Sequence, residues 1–267
     1  MDAVRLDRHA SSGSARVTNR EGRSPLVIVC DHASNFIPQS YGTLGLDAAD
    51  LKRHIAWDPG ALPVAERMAA ALDAVLVQSC VSRLVIDCNR PLDAPDLIPA
   101  VSETTEIPGN RNLGGDERAR RIALAHAPFH EAIDAVVAER LKAGRPTRVV
   151  SVHSFNPIYK SVRRPWHIGI IHDDDRRLAA PLIDALNAMS VVVGVNEPYS
   201  PADRVYYTLE RHARSRGLPC AMIEIRNDEI EDIEQQKEWA GRLAGIFAAM
   251  RIGKNKAETS ALDGLAL

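Results

Sequence analysis

The sequence predicts an α/β fold, built as a single three-layer domain with a mixed central sheet and helices on both faces. Three observations carry this. Short continuous apolar runs, of which Leu26-Val-Ile-Val-Cys30 is the clearest, read as strands buried on both faces. These runs alternate along the chain with segments of helical apolar period. Three of them close on a residue capable of chemistry: Leu26 to Cys30 runs into Asp31-His32, Val149-Val-Ser-Val stops at His153, and Cys220-Ala-Met-Ile223 meets Glu224. Carboxyl ends of strands are where open α/β sheets present functional groups.

Taken in order, residues 1–24 are rich in Arg, Ser and Gly without a period and read as a mobile N-terminal arm. The domain is expected over residues 25–252, with a polar tail at 253–267. After the first strand, Asp31 to Pro38 turns away, with Ser34 or Asn35 placed to cap a short helical turn. Asp47-Ala-Ala-Asp starts a helix over 47–57, acids in its first turn. Pro59 opens a second helix reaching Leu72, whose Val64, Met68 and Leu72 share a face. Strands are expected at Val75–Gln78 and Ser82–Arg90. Residues 91–115, rich in Pro, Gly, Asn and Asp, form a long irregular loop of the kind that usually serves function. One long helix over 116–143, kinked at Pro128, ends at Gly144 and leads into the strand that stops at His153. Further strands are expected at Pro165–Ile171, Val191–Val195 and Cys220–Ile225, with helices at Arg176–Met189, 203–215 and Gln235–Ile252.

Composition narrows the function. Of 267 residues, 45% are hydrophobic and 25% charged, as in an ordinary globular domain. Lys+Arg at 33 against Asp+Glu at 35 leaves a net charge of -2, which argues against a nucleic-acid or membrane surface as the main partner. Cys30, Cys80, Cys88 and Cys220 sit in or beside apolar runs without a CxxC pair, so they read as buried hydrophobes in a reducing compartment. With no membrane-length apolar run, the expected location is cytoplasmic. The GxGxxG, GxxxxGK[ST] and GxSxG signatures are all missing from the sequence.

The polar strand ends suggest a metal hydrolase. His32 and His153 can each give an imidazole nitrogen to zinc, and a third ligand is needed that leaves one position for water. Asp58 is the candidate, with Asn35 the local alternative; the plainer reading of Asp58 is an N-cap for the helix opened by Pro59. Asp31 is expected to orient an imidazole from behind. Glu224 is the candidate general base, against a plainer salt bridge to Arg226 on the same strand face. Arg83, Asn89 and Arg90 supply fixed charge and donors for a carboxylate or an oxyanion, which points to a small acidic substrate. The plainer role for Arg83 is pairing with Asp87, which a strand geometry makes weaker. Tyr199 is either a pocket donor or an ordinary turn aromatic, and His54, one turn before Asp58, is placed to line the pocket.

The segments Cys30-Asp-His-Ala-Ser-Asn-Phe-Ile-Pro38, His54-Ile-Ala-Trp-Asp-Pro-Gly-Ala61, Ser82-Arg-Leu-Val-Ile-Asp-Cys-Asn-Arg-Pro91, Ile107-Pro-Gly-Asn110, Ser151-Val-His-Ser-Phe155, Asn196-Glu-Pro-Tyr-Ser200 and Ile223-Glu-Ile-Arg-Asn227 resemble the N-formylglutamate amidohydrolase family. The resemblance runs from Leu26 to Leu243 and implies a fold similar to zinc carboxypeptidases and aspartoacylase. It implies hydrolysis of an N-formyl or related N-acyl amino acid, such as N-formyl-L-glutamate to formate and glutamate, and a place in histidine degradation. It further implies Zn2+, or another divalent ion such as Co2+, on His32, His153 and a third ligand, with Glu224 as base and Arg83 at the oxyanion. Asn89, Arg90, Tyr199, Arg226 and Asn110 are the implied substrate-binding set, with Arg163 or Arg164 as further partners of a side-chain carboxylate. The wider group places a glutamate ligand three residues after the first histidine, where this chain has Asn35. The competing expectation is a metal-free or non-catalytic binder of acidic amino acids on the same fold, or an amidase or peptidase with another acyl substrate.

Overall fold

A computed structural model describes residues 13–250. Seven strands form one mixed sheet: β1 (Ala15–Thr18), β2 (Leu26–Cys30), β3 (Val75–Ser79), β6 (Arg148–Phe155), β9 (Ile168–Ile171), β10 (Val193–Val195) and β11 (Cys220–Arg226), in the spatial order β1-β3-β2-β6-β11-β9-β10. The intervening pairs β4 (Val101–Ser102) with β5 (Thr105–Glu106), and β7 (Ile158–Tyr159) with β8 (Val162–Arg163), are two small hairpins outside the sheet. The four central strands β3, β2, β6 and β11 are mutually parallel, while β1 and β9 join antiparallel. Every residue of β2, β3, β9 and β11 is buried, which is why these stretches are apolar without alternation.

The period-2 geometry of the strands divides the core in two. Leu26, Ile28, Val150, Val152, Ala221, Ile223 and Ile225 face a layer of α1 (Ala61–Leu72), α4 (Ala179–Asn187) and α6 (Ile233–Ala249). Val27, Val29, Val149, Cys220 and Met222 face α3 (Ala127–Lys142) and α5 (Tyr207–His212). The three-layer expectation therefore holds. Among the described residues, no helix is long and apolar enough to cross a membrane.

Several elements differ from the sequence reading. The arm expected over 1–24 is in part a sheet member: Ala15 to Thr18 pair with Ser79 to Leu76, and Ala15 is buried against the α3 layer. The tail at 253–267, like residues 1–12, lies outside the described residues. The helix over 47–57 reduces to one 3-10 turn at Asp50–Lys52, with the Asp47 carboxylate accepting from the Ala49 and Asp50 amides at 2.9 and 2.8 Å. No helical turn forms at Ser34 or Asn35. The long helix of 116–143 is α2 (Gly115–Arg121), a π turn at Ile122–His126 and then α3, with Pro128, which has no N–H to give an i→i−4 bond, directly after the π turn.

The largest departure is Ser82–Arg90, which is a succession of turns and not a strand. Leu84, Val85 and Ile86 are buried, but against the loop residues Leu44, Leu97, Ile98 and Ile107 and against Ala125 of the π turn, which belong to a third core cluster. With no ladder to satisfy its carbonyls, the segment is held by side chains. Asn110 Nδ2 donates to Leu84 O and Pro99 O, both at 2.8 Å. The buried Arg121 donates to Val85 O at 3.1 Å and to Asn110 Oδ1 at 2.6 Å. His130 bonds Cys88 O and His126 bonds Arg90 O, both at 2.9 Å. Behind them His130 Nδ1 meets His212 Nε2 at 2.7 Å, and His212 Nδ1 meets Asp134 at 2.9 Å. Burial holds His130 down to about 2 and His212 to about 4, so this chain of imidazoles is neutral at physiological pH.

Asn110 is therefore a structural residue and not a substrate-binding one: its amide is consumed by two carbonyls and Arg121, and it stands outside the cavity described below. Asn110→Ala strands three buried partners. The expected result is a loss of about 1–3 kcal/mol in chemical denaturation, with ligand affinity of the correctly folded protein changed less than about twofold.

Candidate active site

The site forms where the carboxyl ends of β2, β6 and β11 meet loops from three other parts of the chain. His32 follows β2 by two residues, while His153 in β6 and Glu224 in β11 are register partners on adjacent parallel strands. Both sit on the face that carries Val149 and Met222, the α3 and α5 side of the sheet, and both line a cavity there. Asp58 arrives from the corner before α1. Its amide donates to His32 O at 3.0 Å, which ties the two segments together. Gly60 makes the corner possible: its φ is +80°, and a Cβ there would lie 2.5 Å from Ile230 O. Gly60 and not Asp58 occupies the cap position of α1, so the Asp58 carboxylate is free to turn inward.

Asp58 Oδ2 lies 2.8 Å from His153 Nδ1 and 3.3 Å from His32 Nδ1. One ligand atom from each of these residues falls within 4.8 Å of the others, and all three residues are buried. The opposite ring nitrogens are committed: His32 Nε2 donates to Asp87 Oδ1 at 2.7 Å, and His153 Nε2 donates to Asp31 Oδ2 at 3.1 Å. Asp31 is fixed in turn by Ser151 Oγ at 3.0 Å and by the Thr208 hydroxyl. Carboxylate–imidazole pairs of this kind fix the tautomer and point the second nitrogen's lone pair forward. Here two such lone pairs converge on a carboxylate oxygen. Three acceptors share so small a space only around a positive charge, and a divalent cation fits that donor set.

The charge balance leads to the same requirement. Burial opposes ionisation of Asp31, yet His153, His32 and Thr208 hold it down to about 2. Asp58 and Asp87 likewise lie well below the usual carboxylate range despite burial, through His32 and their other partners. Arg83 supplies the compensating cation, with Nη1 3.3 Å from Asp58 Oδ1 and Nη2 3.0 Å from Asp87 Oδ2. Against the cost of burial, Asp31 and Asp58 in turn hold the proton of the His153 imidazole well above the usual histidine range. With neutral imidazoles, three ionised carboxylates against the Arg83 guanidinium would leave two negative charges, the deficit that a divalent ion neutralises. The His32-Asp58-His153 cluster is thus a possible metal site.

Glu224 faces the same cavity. Its Oε2 is buried without a hydrogen-bond partner, and burial pushes the carboxyl up to about 7. An unpaired buried carboxyl calls for an explanation, and a group held near neutrality beside a cavity has the properties of a proton carrier. The cavity itself measures about 260 Å3 and opens between the two hairpins. Tyr199 lines it, with its hydroxyl accepting from Arg164 Nη1 at 3.1 Å and its own proton held to about 12 by burial and the charge of Glu224.

The remaining expected residues separate. Asn35 is no ligand: it donates to Leu51 O at 2.9 Å and braces the 47–57 loop. The proposed salt bridge of Glu224 to Arg226 does not form. Arg226 instead bonds Asp228 at 2.6 Å, Glu229 at 2.8 Å and the Pro165 and Trp166 carbonyls, so it is a structural residue outside the cavity. Arg163 is exposed on β8, and Arg164 stacks over Tyr159 and Tyr199 behind the cavity wall. Asn89 lines the cavity, but its amide is spent on Val205 O and the Thr208 amide. Arg90 also lines it, with Nε on Asp96 at 2.7 Å. The pairing of Arg83 with Asp87 is real, because turns and not a strand bring positions four apart together. Sequence reading passed over Asp87, Thr208 and Ser151 as supports of the imidazoles. Only the polar character of Asp87 within an apolar run hinted at its role.

The N-formylglutamate amidohydrolase family model matches residues 24–231. No curated protein matches the sequence. Among solved structures, a gene product of Agrobacterium tumefaciens is 42% identical, with a TM-score of 0.87 over 94% of this chain and 96% of its own. An N-formylglutamate amidohydrolase from Ralstonia eutropha is 20% identical, with a TM-score of 0.66 over 89% of this chain and 97% of its own, a likeness of fold alone. The family match spans the strands, the corner and the loop that assemble the cluster, and the chain belongs to the N-formylglutamate amidohydrolase family.

Proposed function

We propose that this protein is a zinc-dependent amidohydrolase that cleaves the amide bond of an N-formyl or related N-acyl amino acid, releasing formate or the corresponding acid. The observation that carries the reading is the unpartnered, near-neutral Glu224 carboxyl in a cavity whose floor is the His32-Asp58-His153 cluster. Two imidazoles and a carboxylate form the ligand set typical of catalytic zinc, with cobalt a functional substitute. A zinc ion held there would supply the Lewis acidity that polarises the scissile carbonyl and acidifies water.

The chain's own groups do the rest. Glu224 takes a proton from the attacking water as the C–O bond forms. It returns that proton to the amide nitrogen as the C–N bond breaks, so the amine leaves neutral and the base is regenerated. Arg83 keeps Asp58 and Asp87 ionised and in place, and its partly exposed guanidinium faces the position where negative charge develops on the carbonyl oxygen. The Tyr199 hydroxyl, protonated throughout the physiological range, is a donor on the opposite wall. Arg90 can meet the substrate's α-carboxylate along its Nη2 edge, while Nε bonds Asp96 and Nη1 bonds Asn89 O.

Glu224→Gln keeps the shape and removes the base. It is expected to lower kcat by about 10²–10⁴ on N-formyl amino acids, with metal content unchanged by elemental analysis. The sign of the pH dependence follows from the ionised form being the active one. Activity of the wild type falls as pH drops through the Glu224 pKa, at or below about 7 because a bound cation pulls it down. This acid limb of kcat/KM disappears in Glu224→Gln; a variant with full activity would remove the mechanism.

Dialysis against a chelator should abolish turnover and lower the thermal midpoint, and zinc or cobalt should restore both. Full turnover by protein shown to be metal-free would favour a different chemistry.

A further inference from the structure

We infer that the preferred substrate carries a single carboxylate and an uncharged side chain, so that this cavity selects against a glutamate side chain. The inference rests on the hydrolase reading above and names the substrate class of that same site.

An N-acyl glutamate brings two carboxylates, and each is met most strongly by a cation of its own, best by an arginine fork. Among the described residues, the arginines that line the cavity are Arg83 and Arg90, and no lysine lines it. The charge of Arg83 is already divided between Asp58 and Asp87. Arg90 is paired with Asp96 through Nε and bonds Asn89 O through Nη1, which leaves the Nη2 edge of its fork for a ligand. One substrate carboxylate can therefore be met. Of the arginines that the sequence offered for a second, none lines the cavity: Arg163 is exposed on β8, Arg226 is engaged by carbonyls and two acids, and Arg164 lies behind the wall, stacked on Tyr159 and Tyr199 and donating to the Tyr199 hydroxyl.

The outer wall strengthens the argument. Asp96 lines it, and so does Glu103 at the turn of the β4–β5 hairpin. Glu103 is held in place by Arg53 Nη2 at 3.0 Å and Asn156 Nδ2 at 3.1 Å. A second substrate carboxylate would enter a space that already holds the carboxyl groups of Asp58, Asp87, Asp96, Glu103 and Glu224. The remaining wall is apolar or aromatic, from Ile55, Pro99, Val101 and Tyr159. Of these, Val101 is exposed on the β4–β5 hairpin. Such a rim gives a neutral side chain contact area and gives a carboxylate only unpaired desolvation.

The test compares N-formyl-L-glutamate, its isostere N-formyl-L-glutamine and N-formyl-L-leucine with zinc-loaded enzyme. The same three compounds are titrated calorimetrically into Glu224→Gln protein, where binding is read without turnover. The expected result is kcat/KM for the glutamine and leucine compounds about tenfold or more above that for glutamate, with the same order in binding. Glutamate equal to or better than glutamine in both readouts overturns the inference and leaves the hydrolase reading standing. Hydrolysis of none of the three, nor of their N-acetyl counterparts, by metal-loaded protein overturns the hydrolase reading and this inference with it.

Discussion

The meeting of three electron-rich atoms, Nδ1 of His32, Nδ1 of His153 and Oδ2 of Asp58, is the constraint on which the rest of the structure turns. Left to themselves these atoms repel. They stay together because each imidazole is fixed from behind by a carboxylate, and because Arg83 spans two of the carboxylates involved. The supports come from distant parts of the chain: Asp31 from the end of β2, Asp87 from the 82–90 turns and Thr208 from α5. Burial of this much charge is costly unless every member is paired. Much of the architecture outside the sheet can be read as meeting that condition.

The part of the site most exposed to this demand is the Ser82–Arg90 segment. It contributes Arg83, Asp87, Asn89 and Arg90, yet it has no strand or helix to satisfy its backbone. Four side chains do so instead, from Asn110, Arg121, His126 and His130. Imidazoles suit this task when they are neutral, since each then offers one donor and one acceptor in a rigid plane. Burial keeps His130 and His212 neutral, so the His130–His212–Asp134 chain braces Cys88 from behind without adding charge beside Asp87.

These features explain what was legible in the sequence. The central strands could be read because residues buried on both faces must be apolar, and β2 and β11 have no other option. His32, His153 and Glu224 were legible as polar breaks at the ends of such runs, and Asp58 as an acid at a Pro-Gly corner. The 82–90 segment was misread for the same reason. Leu84, Val85 and Ile86 are as apolar as a strand, but they pack on loop residues, and local sequence does not record which partner an apolar residue meets. Asn110 and Arg226 carry the right groups for binding a carboxylate, and their use as backbone supports depends on contacts 26 to about 60 residues away. The edge strand β1 escaped notice because one face of it meets solvent and its pairing partner lies in β3.

The same economy of charge bears on how the site and the fold depend on each other. With neutral imidazoles the cluster would keep two buried negative charges after Arg83 is counted, and protons on the imidazoles are the compensation that Asp31 and Asp58 favour at His153. Those protons occupy the positions where a metal ion would bind, so the two forms of compensation exclude each other. A group that neutralises the cluster therefore stabilises the folded chain in proportion to its own binding, and nothing equivalent gathers the three residues in the unfolded chain. Because Asp58 and His32 are also joined through the Asp58 amide and the His32 carbonyl, such a group reinforces the junction between β2 and α1 as well as the catalytic geometry. Site and sheet are in this sense one structure: the strands bring the acceptors together, and whatever positive charge sits among them holds the strand ends and loops in register.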